Sequence, residues 1–309
     1  MKTPLLRALA NLVTLRWITG RRFVIAVPYL WLTIAFLVPF LIVFRLSFVE
    51  ADNPGQPFGS LLSYADGFVT LKVKLANYLF LAQDELYLAT YISSIKFAAI
   101  TTALCLIIGY PFAYFMARAR ATVRPVLLML VMLPFWTSFL LRIYAWKGIL
   151  ADQGLLNDLL LKMGLVTQPL HIMNTQYSLL IGMVYAYLPF MILPLYSNLV
   201  KMDMRFLEAA ADLGATPWQA FWRITVPLSK SGIIAGAMLV FIPAVGEYVI
   251  PELLGGPETL MIGRVLWDEF FTNNDWPLAS AVAVVVILFI LIPMAIFNRY
   301  KTDQSGGRA

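Results

Sequence analysis

Six long apolar segments constrain the fold of this chain more than any other feature of its sequence. About 20 residues of α-helix cross the hydrocarbon core of a membrane, and each segment reaches that length. Charged residues make up only 13% of the chain, against 61% hydrophobic residues, whereas soluble domains are about one quarter charged. We therefore predict an all-α membrane protein with six transmembrane helices, at about 23–48, 92–117, 123–145, 178–200, 232–254 and 277–298.

The spans and their connections are expected to form one transmembrane domain over 1–309, with a cytoplasmic loop at 201–231. The chain has one cysteine, Cys105, and one histidine, His171. A disulfide within the chain and a zinc site built from Cys and His are therefore excluded. We expect neither a metal site nor a cofactor bound by this chain.

Lysine and arginine are distributed unevenly between the two predicted sides of the membrane. Fifteen of the 23 fall in the N-terminal segment, the second-to-third loop, the 201–231 loop and the C-terminal tail. Because cytoplasmic loops are enriched in Lys and Arg, both termini and the 201–231 loop are predicted to face the cytoplasm. Thirteen of the 17 acids fall on the outer side. Ordinary loop solvation and a field that concentrates cations at the mouth of a pathway are both open explanations.

Residues 208–227, EAAADLGATPWQAFWRITVP, are the most informative polar stretch. Good helix formers precede Gly214, and glycine is common just past a helix end. Thr216 and Gln219 have the spacing of a capping box, with Pro217 at the first helical position. The pattern predicts two short helices joined by a tight turn, with small residues that let another protein approach closely.

This stretch resembles the EAA loop of ABC-importer permeases, which reads Glu-Ala-Ala, three residues, Gly, nine residues, Ile, one residue, Leu, Pro. The matching residues are Glu208, Ala209, Ala210, Gly214, Ile224 and Pro227, and Val226 stands where leucine is usual. The resemblance implies a type I ABC importer permease fold whose loop binds a cytoplasmic ATPase. It assigns that contact to Glu208, Ala209, Ala210, Gly214, Ala215 and Pro217.

Three further stretches, at 134–146, 185–196 and 241–271, resemble permeases of polyamine (putrescine/spermidine) importers. The resemblance implies three kinds of protein partner: a second permease subunit that forms a heterodimer with this chain, two ATPase subunits and a periplasmic polyamine-binding protein. It also implies a location in the lipid of a bacterial inner membrane, and no nucleic acid is expected as a partner. Since the sequence contains no G-x-x-x-x-G-K-[ST] pattern, ATP and Mg are expected on the partner ATPase subunits, and the chain itself is no enzyme.

The alternatives to a polyamine permease are an importer permease for another solute and a secondary transporter. Permeases for sulfate, iron or thiamine share the EAA loop, although an acidic exterior is less expected of one that serves an anion. A secondary transporter would need no ATPase and usually carries an inverted repeat, which is not visible in this sequence.

A polyamine carries ammonium groups, so its path through a membrane needs acids or aromatic faces to replace water. Glu247, late in the fifth predicted span, is the strongest candidate, and a salt bridge to Lys96 or Arg142 is the alternative for it. The candidate cation–π surfaces are Trp136, Tyr187, Phe241 and Tyr248. The predicted outer-mouth acids are Glu252, Asp268 and Glu269, with Arg264 expected to order them.

Overall fold

The computed structural model describes residues 21–49, 62–65, 68–71 and 75–306. The chain divides into two compact units, Met1–Asn77 with Asp275–Val284, and Tyr78–Asn274 with Val285–Ala309. The single domain over 1–309 stays a prediction. Several charged residues used to predict the topology lie outside the described residues: Lys2, Arg7, Arg16, Glu50, Asp52, Asp66, Lys72, Lys74 and Arg308.

Helices account for most of the described residues. In chain order they are α1 Arg21–Leu46, α2 Ala76–Gln83, α3 Glu85–Arg118, α4 Arg124–Met132, α5 Phe139–Leu150, α6 Leu155–Lys162, α7 Gln176–Leu199, α8 Arg205–Asp212, α9 Pro217–Ala220, α10 Val226–Leu228, α11 Lys230–Val245, α12 Val249–Leu254, α13 Ile262–Trp267 and α14 Trp276–Gly306. Two 3₁₀ turns, Leu133–Trp136 and Pro257–Thr259, and two π-helical turns, Phe221–Thr225 and Asp268–Thr272, interrupt this order.

A short β-hairpin departs from the all-α prediction. Strands β1 Leu62–Ala65 and β2 Phe68–Leu71 pair antiparallel, with Leu62 opposite Leu71 and Ala65 opposite Phe68. The sequence between them is Asp-Gly, a pair that favours two-residue hairpins because both residues tolerate positive φ. The Asp-Gly pair is a local signal for this hairpin, but it lies outside the six apolar segments on which the all-α prediction rests.

Three helices of the described chain are long and apolar enough to cross a membrane: Val24–Leu46 within α1, α3 and α7. The number rises to five if each of two bent pairs is one span. One pair is Arg124–Trp136 with Phe139–Lys162, bent by 87°, and the other is Pro217–Leu228 with Lys230–Val245, bent by 65°. A shorter apolar helix covers Trp276–Leu291.

The third and fifth predicted spans are each divided into separate helices. The 3₁₀ turn that contains Pro134 ends α4, and Thr137 is extended before α5 begins. Proline removes a backbone donor and clashes with the preceding turn. The helix α11 ends at Val245, with Gly246 as its C-cap, and a separate helix α12 follows, so that the predicted span at 232–254 consists of two helices.

The core of the larger unit is formed where α3, α7 and α11 pack against one another. Two glycines allow this close approach, since Gly109 of α3 and Gly236 of α11 both face Met191 of α7. A Cβ atom at Gly109 would lie 3.2 Å from Met191 Cγ, and one at Gly236 would lie 2.7 Å from Met191 Sδ. Met191 is fully buried between the two helices.

Candidate functional site

Local backbone hydrogen bonds shape the turn of the 201–231 loop. The N–H of Ala215 donates to the carbonyl of Ala210 at 2.9 Å, and the N–H of Gly214 donates to the carbonyl of Ala211 at 2.9 Å. These two bonds define a Schellman turn at the end of α8. Gly214 has a φ of +80°, a conformation that glycine adopts without the strain a Cβ atom would cause.

The start of α9 is capped by residues of the same loop. The Thr216 hydroxyl accepts a hydrogen bond from the N–H of Gln219 at 3.3 Å, and Gln219 Oε1 accepts one from the N–H of Thr216 at 3.0 Å. Pro217 occupies the first helical position, where its missing N–H leaves no bond unmade. The two short helices and the glycine turn predicted from the sequence are present.

The residues assigned to ATPase contact differ in accessibility. Those that are exposed are Glu208, Ala209, Gly214 and Pro217, while Ala215 is half-buried and Ala210 is buried. Large apolar side chains of the same loop are also exposed. Phe206 is 55% exposed, Leu213 88% and Trp218 69%. We call Phe206, Glu208, Ala209, Leu213, Gly214, Pro217 and Trp218 the docking surface.

Glu247 lies in the break between α11 and α12. Its Oε1 atom accepts hydrogen bonds from the backbone N–H groups of Val249 at 3.0 Å and Ile250 at 3.4 Å. Its Oε2 atom accepts a hydrogen bond from the hydroxyl of Tyr187. The carboxylate therefore satisfies the free N–H groups at the start of α12 and ties that helix to α7.

Neither cation considered as a salt-bridge partner pairs with Glu247. Lys96 Nζ lies 5.9 Å from the ring centroid of Phe97, and the Arg142 guanidinium lies 5.3 Å from the centroid of Phe135. Within the described ranges, Glu247 forms no salt bridge. A carboxylate offers about four acceptor positions, and three donors occupy it here, so one position on Oε2 is open to a further donor.

Aromatic rings extend from Glu247 in a continuous row. Tyr187 lies 6.2 Å from Phe190 between ring centroids, and Phe190 lies 5.2 Å from Phe135 at 82°. Arg142 covers the other end of the row through its contact with Phe135. Phe190 and Phe135 are not among the predicted pathway residues. They lie within 185–196 and 134–146, two of the stretches that resemble polyamine permeases.

The four predicted aromatic candidates are placed differently. Tyr187 contacts Glu247 directly and Tyr248 follows it in the chain. Trp136 is 75% exposed, and Phe241 is half-buried and packs against the core. The structure thus brings Tyr187 and Glu247 together, places the Tyr248 ring against Trp267 and leaves Trp136 at the surface.

A second group of aromatic rings lies beside the outer-mouth acids. The ring of Tyr248 stacks on Trp267, with centroids 4.5 Å apart and an interplanar angle of 13°. Trp267 in turn lies 4.1 Å from Phe271, and both are exposed. Trp267 and Phe271 were not predicted, yet their position next to Asp268 in the sequence is a signal that could have identified them, because aromatic faces and carboxylates together favour cations.

The three outer-mouth acids have different partners. Glu252 Oε2 lies 2.8 Å from Arg264 Nε, as expected of an arginine that orders the acids. Glu269 accepts hydrogen bonds from the hydroxyl of Tyr87 at 2.7 Å and from Asn273 Nδ2 at 2.9 Å. In the described part of the chain, the Asp268 carboxylate has neither a hydrogen bond nor an ion pair. Its charge is therefore available to a cation.

The helix α13, which ends at Trp267 just before Asp268, packs directly on the backbone at Glu247. A Cβ atom at Gly263 of α13 would lie 2.5 Å from the carbonyl oxygens of both Gly246 and Glu247. The absence of a side chain at Gly263 therefore sets the distance between the outer-mouth group and the Glu247 group. Among the described residues, no group of three or more His, Cys, Asp or Glu side chains could hold a metal ion.

Comparisons with known proteins agree on one family. Residues 105–301 match the model of the family described as "Binding-protein-dependent transport system inner membrane component". The spermidine/putrescine transport system permease protein PotB of Haemophilus influenzae is 40% identical over 284 residues, which are 92% of this chain and 94% of that protein. PotB of Escherichia coli is 39% identical over 87% of this chain and 93% of its own length.

A solved structure has the same fold at low sequence identity. A bacterial ABC transporter involved in the import of the acidic polysaccharide alginate matches with a TM-score of 0.61 at 19% identity, over 90% of this chain and 95% of that chain. A second structure, of a bacterial alginate ABC transporter in complex with an alginate pentasaccharide-bound periplasmic protein, matches with a TM-score of 0.63 at 16% identity. It covers 93% of this chain and 96% of that one.

Proposed function

The chain belongs to the family of binding-protein-dependent transport system inner membrane components, and from this premise we propose that it is the polyamine-carrying permease subunit of an ATP-driven importer. The observation that carries the cargo class is the 40% identity, over 92% of the chain, to a spermidine/putrescine permease. The site agrees with a cationic cargo, because Glu247 is not neutralised by a cation within the described residues.

The proposed topology has six spans with both termini in the cytoplasm. Val24–Leu46, α3 and α7 supply three spans, and the bent pair Arg124–Trp136 with Phe139–Lys162 supplies a fourth. The helix α11 supplies the fifth, and the apolar helix Trp276–Leu291 supplies the sixth. The excess of Lys and Arg in the loops on one side supports this orientation. The docking surface then faces the cytoplasm, and Trp267, Phe271 and the outer-mouth acids face the periplasm.

The proposed assembly supplies what this chain lacks. Two cytoplasmic ATPase subunits carry ATP and Mg and bind the docking surface, and a second permease completes a heterodimer around the pathway. A periplasmic polyamine-binding protein delivers cargo to the outer mouth. The structural neighbour in complex with a periplasmic protein is a fold-level precedent for such delivery.

Cargo passes in two stages on this proposal. An ammonium group first meets the exposed rings of Trp267 and Phe271 beside Asp268, where cation–π attraction and the unpaired carboxylate act together. It then reaches Glu247, Tyr187 and Tyr248, while Trp136 and Phe241 are proposed to line the path further on. ATP binding and hydrolysis alternate the access of this path between the two sides.

Uptake by the complete complex in proteoliposomes tests the proposal. Purified complex with all subunits is reconstituted with the binding protein, and uptake of putrescine, spermidine and sulfate is measured with ATP inside the vesicles. We expect ATP-dependent uptake of at least one polyamine and none of sulfate. Uptake of sulfate instead would establish the alternative, a permease for another solute, and uptake without ATP would contradict the importer class.

A further inference from the structure

The segment that connects the docking surface to α11 is held against α3 at both of its ends. We call residues 221–229 the connecting segment. At its start, the ring of Phe221 meets Tyr110 and Tyr114 edge to face, at centroid distances of 5.5 Å and 5.8 Å. At its end, the hydroxyls of Ser229 and Tyr110 share a buried hydrogen bond of 2.8 Å. Because Tyr110 and Tyr114 are four residues apart, they lie on one face of α3.

Phe221 joins the rings of the docking surface to those of α3. On the loop side, Trp218 stacks on Phe221 at 5.9 Å and 17°. On the helix side, the Tyr114 ring has a second contact. The guanidinium of Arg118 lies 4.7 Å from its ring centroid. Trp218 is exposed, whereas Phe221 is half-buried. A partner that displaces the Trp218 ring therefore displaces Phe221, which in turn contacts Tyr110 and Tyr114.

The backbone of the connecting segment is poorly suited to transmit a displacement by itself. It begins with a π-helical turn, Phe221–Thr225, and the chain bends by 65° between Leu228 and Lys230. A regular helix moves as a rigid rod, whereas π-helical turns and sharp bends interrupt the ladder of backbone hydrogen bonds. The lateral contacts at Phe221 and Ser229 therefore decide whether the segment and α3 move together.

From α3 the packing continues to the candidate cargo site. Gly109, the residue before Tyr110, would place a Cβ atom 3.2 Å from Met191 Cγ and 3.3 Å from Ile192 Cγ1 of α7. One turn before Met191 on the same helix lies Tyr187, whose hydroxyl donates to Glu247. Close-packed interiors transmit displacements because they have little free volume.

We propose that Phe221 and the Tyr110–Ser229 pair are positioning residues that make the connecting segment and the C-terminal half of α3 move as one body. Displacement of the docking surface by the ATPase then reaches α7 and Glu247. This inference rests on the proposed function, since it requires that the docking surface bind an ATPase. It assigns the transmission of this displacement to the side of the connecting segment that faces α3, which does not itself contact the ATPase.

The number of polyamine molecules imported per ATP hydrolysed, measured in proteoliposomes with the complete complex, tests this assignment. Phe221→Leu keeps apolar volume and removes both ring contacts, and we expect the ratio to fall about tenfold. Tyr110→Phe keeps the ring and removes the bond to Ser229, and we expect a fall of about fivefold. In both variants the ATPase subunits still co-purify and hydrolyse ATP, and Phe221→Tyr, which keeps the ring, retains the wild-type ratio.

Matched controls separate transmission from general stability. Phe97→Leu makes the same chemical change at a buried position in the N-terminal part of α3, outside the connecting segment, and we expect it to leave the ratio unchanged. The double variant Phe221→Leu with Tyr110→Phe should lose less than the product of the single losses, since residues that act as one unit are not additive.

Three results would overturn the inference: a wild-type ratio in Phe221→Leu, fully multiplicative losses in the double variant, or loss of the bound ATPase in Phe221→Leu alone. The last would make Phe221 a docking residue. A wild-type complex that assembles without any ATPase would instead refute the proposed function, so the two failures are distinguishable.

Discussion

At the scale of single residues, Glu247 is distinguished by the way its charge is held. Three hydrogen-bond donors orient the carboxylate, two from the backbone of α12 and one from Tyr187. An acid in a salt bridge would have to exchange its partner for cargo, whereas Glu247 keeps its donors and still has an acceptor position. On the proposed function, Glu247 therefore binds a cation without losing the hydrogen bonds that orient its carboxylate.

Removal of the Glu247 carboxylate is expected to lower polyamine uptake by about tenfold or more, because hydrogen bonds to charged groups contribute roughly 1.5–3 kcal/mol. The variant is Glu247→Ala, and the measurement is the initial rate of putrescine and spermidine uptake together with co-purification of the other subunits, which we expect to be intact. Glu258→Gln, which removes an exposed acid of the neighbouring loop, is the matched control. Wild-type kinetics in Glu247→Ala would exclude this residue from the pathway.

At the scale of elements, the turn at Gly214 and the break at Glu247 show what sequence can and cannot reveal. The turn was predictable because its signals and its hydrogen bonds lie within residues 210–219. The break was not, since Tyr187, which holds Glu247, is 60 residues away in the chain, and a run of apolar residues looks the same whether a helix continues or stops. The contact between Tyr187 and Glu247 is therefore visible only in the structure.

Substitution of Gly214 by a bulky residue is expected to uncouple ATP hydrolysis from uptake. A Cβ atom there would meet no atom within 4 Å, so the cost comes from the left-handed backbone conformation, about 1–2 kcal/mol, and from a large side chain on the docking surface. Gly214→Trp should hydrolyse ATP with little uptake, whereas Gly214→Asn should retain coupling, because Asn tolerates this conformation.

Gly164 provides the control for Gly214, because it also has a positive φ, +68°, and lies beyond the end of α6, away from the docking surface. Gly164→Trp introduces the same backbone strain and should transport with normal coupling. Normal transport by Gly214→Trp would contradict the docking account.

At the scale of the whole molecule, the family and the inner-membrane location follow from comparison with relatives, while orientation rests on the distribution of charge. Length and composition were enough to predict a helical membrane protein, and three of the predicted spans are single helices long and apolar enough to cross a membrane. The sequence could not predict the size of the bends, 87° between Trp136 and Phe139 and 65° between Leu228 and Lys230, since a bend depends on what packs against it.

Cysteine labelling in intact cells tests the orientation. The native Cys105 is fully buried, so it should not react with a membrane-impermeant maleimide. Leu213→Cys, on the docking surface, should react only after the cells are opened, and Glu258→Cys should react in intact cells. The opposite pattern would place the docking surface outside and would refute the proposed topology.

The Schellman turn and capping box of the 201–231 loop have a consequence for how transporters of this kind diversify. Because ten neighbouring residues are enough to build the turn, its form does not depend on what the membrane helices carry. On the proposed function, cargo preference can therefore change at Glu247 and the outer mouth while the loop continues to bind the same ATPase. One ATPase can in this way serve several permeases that share the same loop and differ in the path of their cargo.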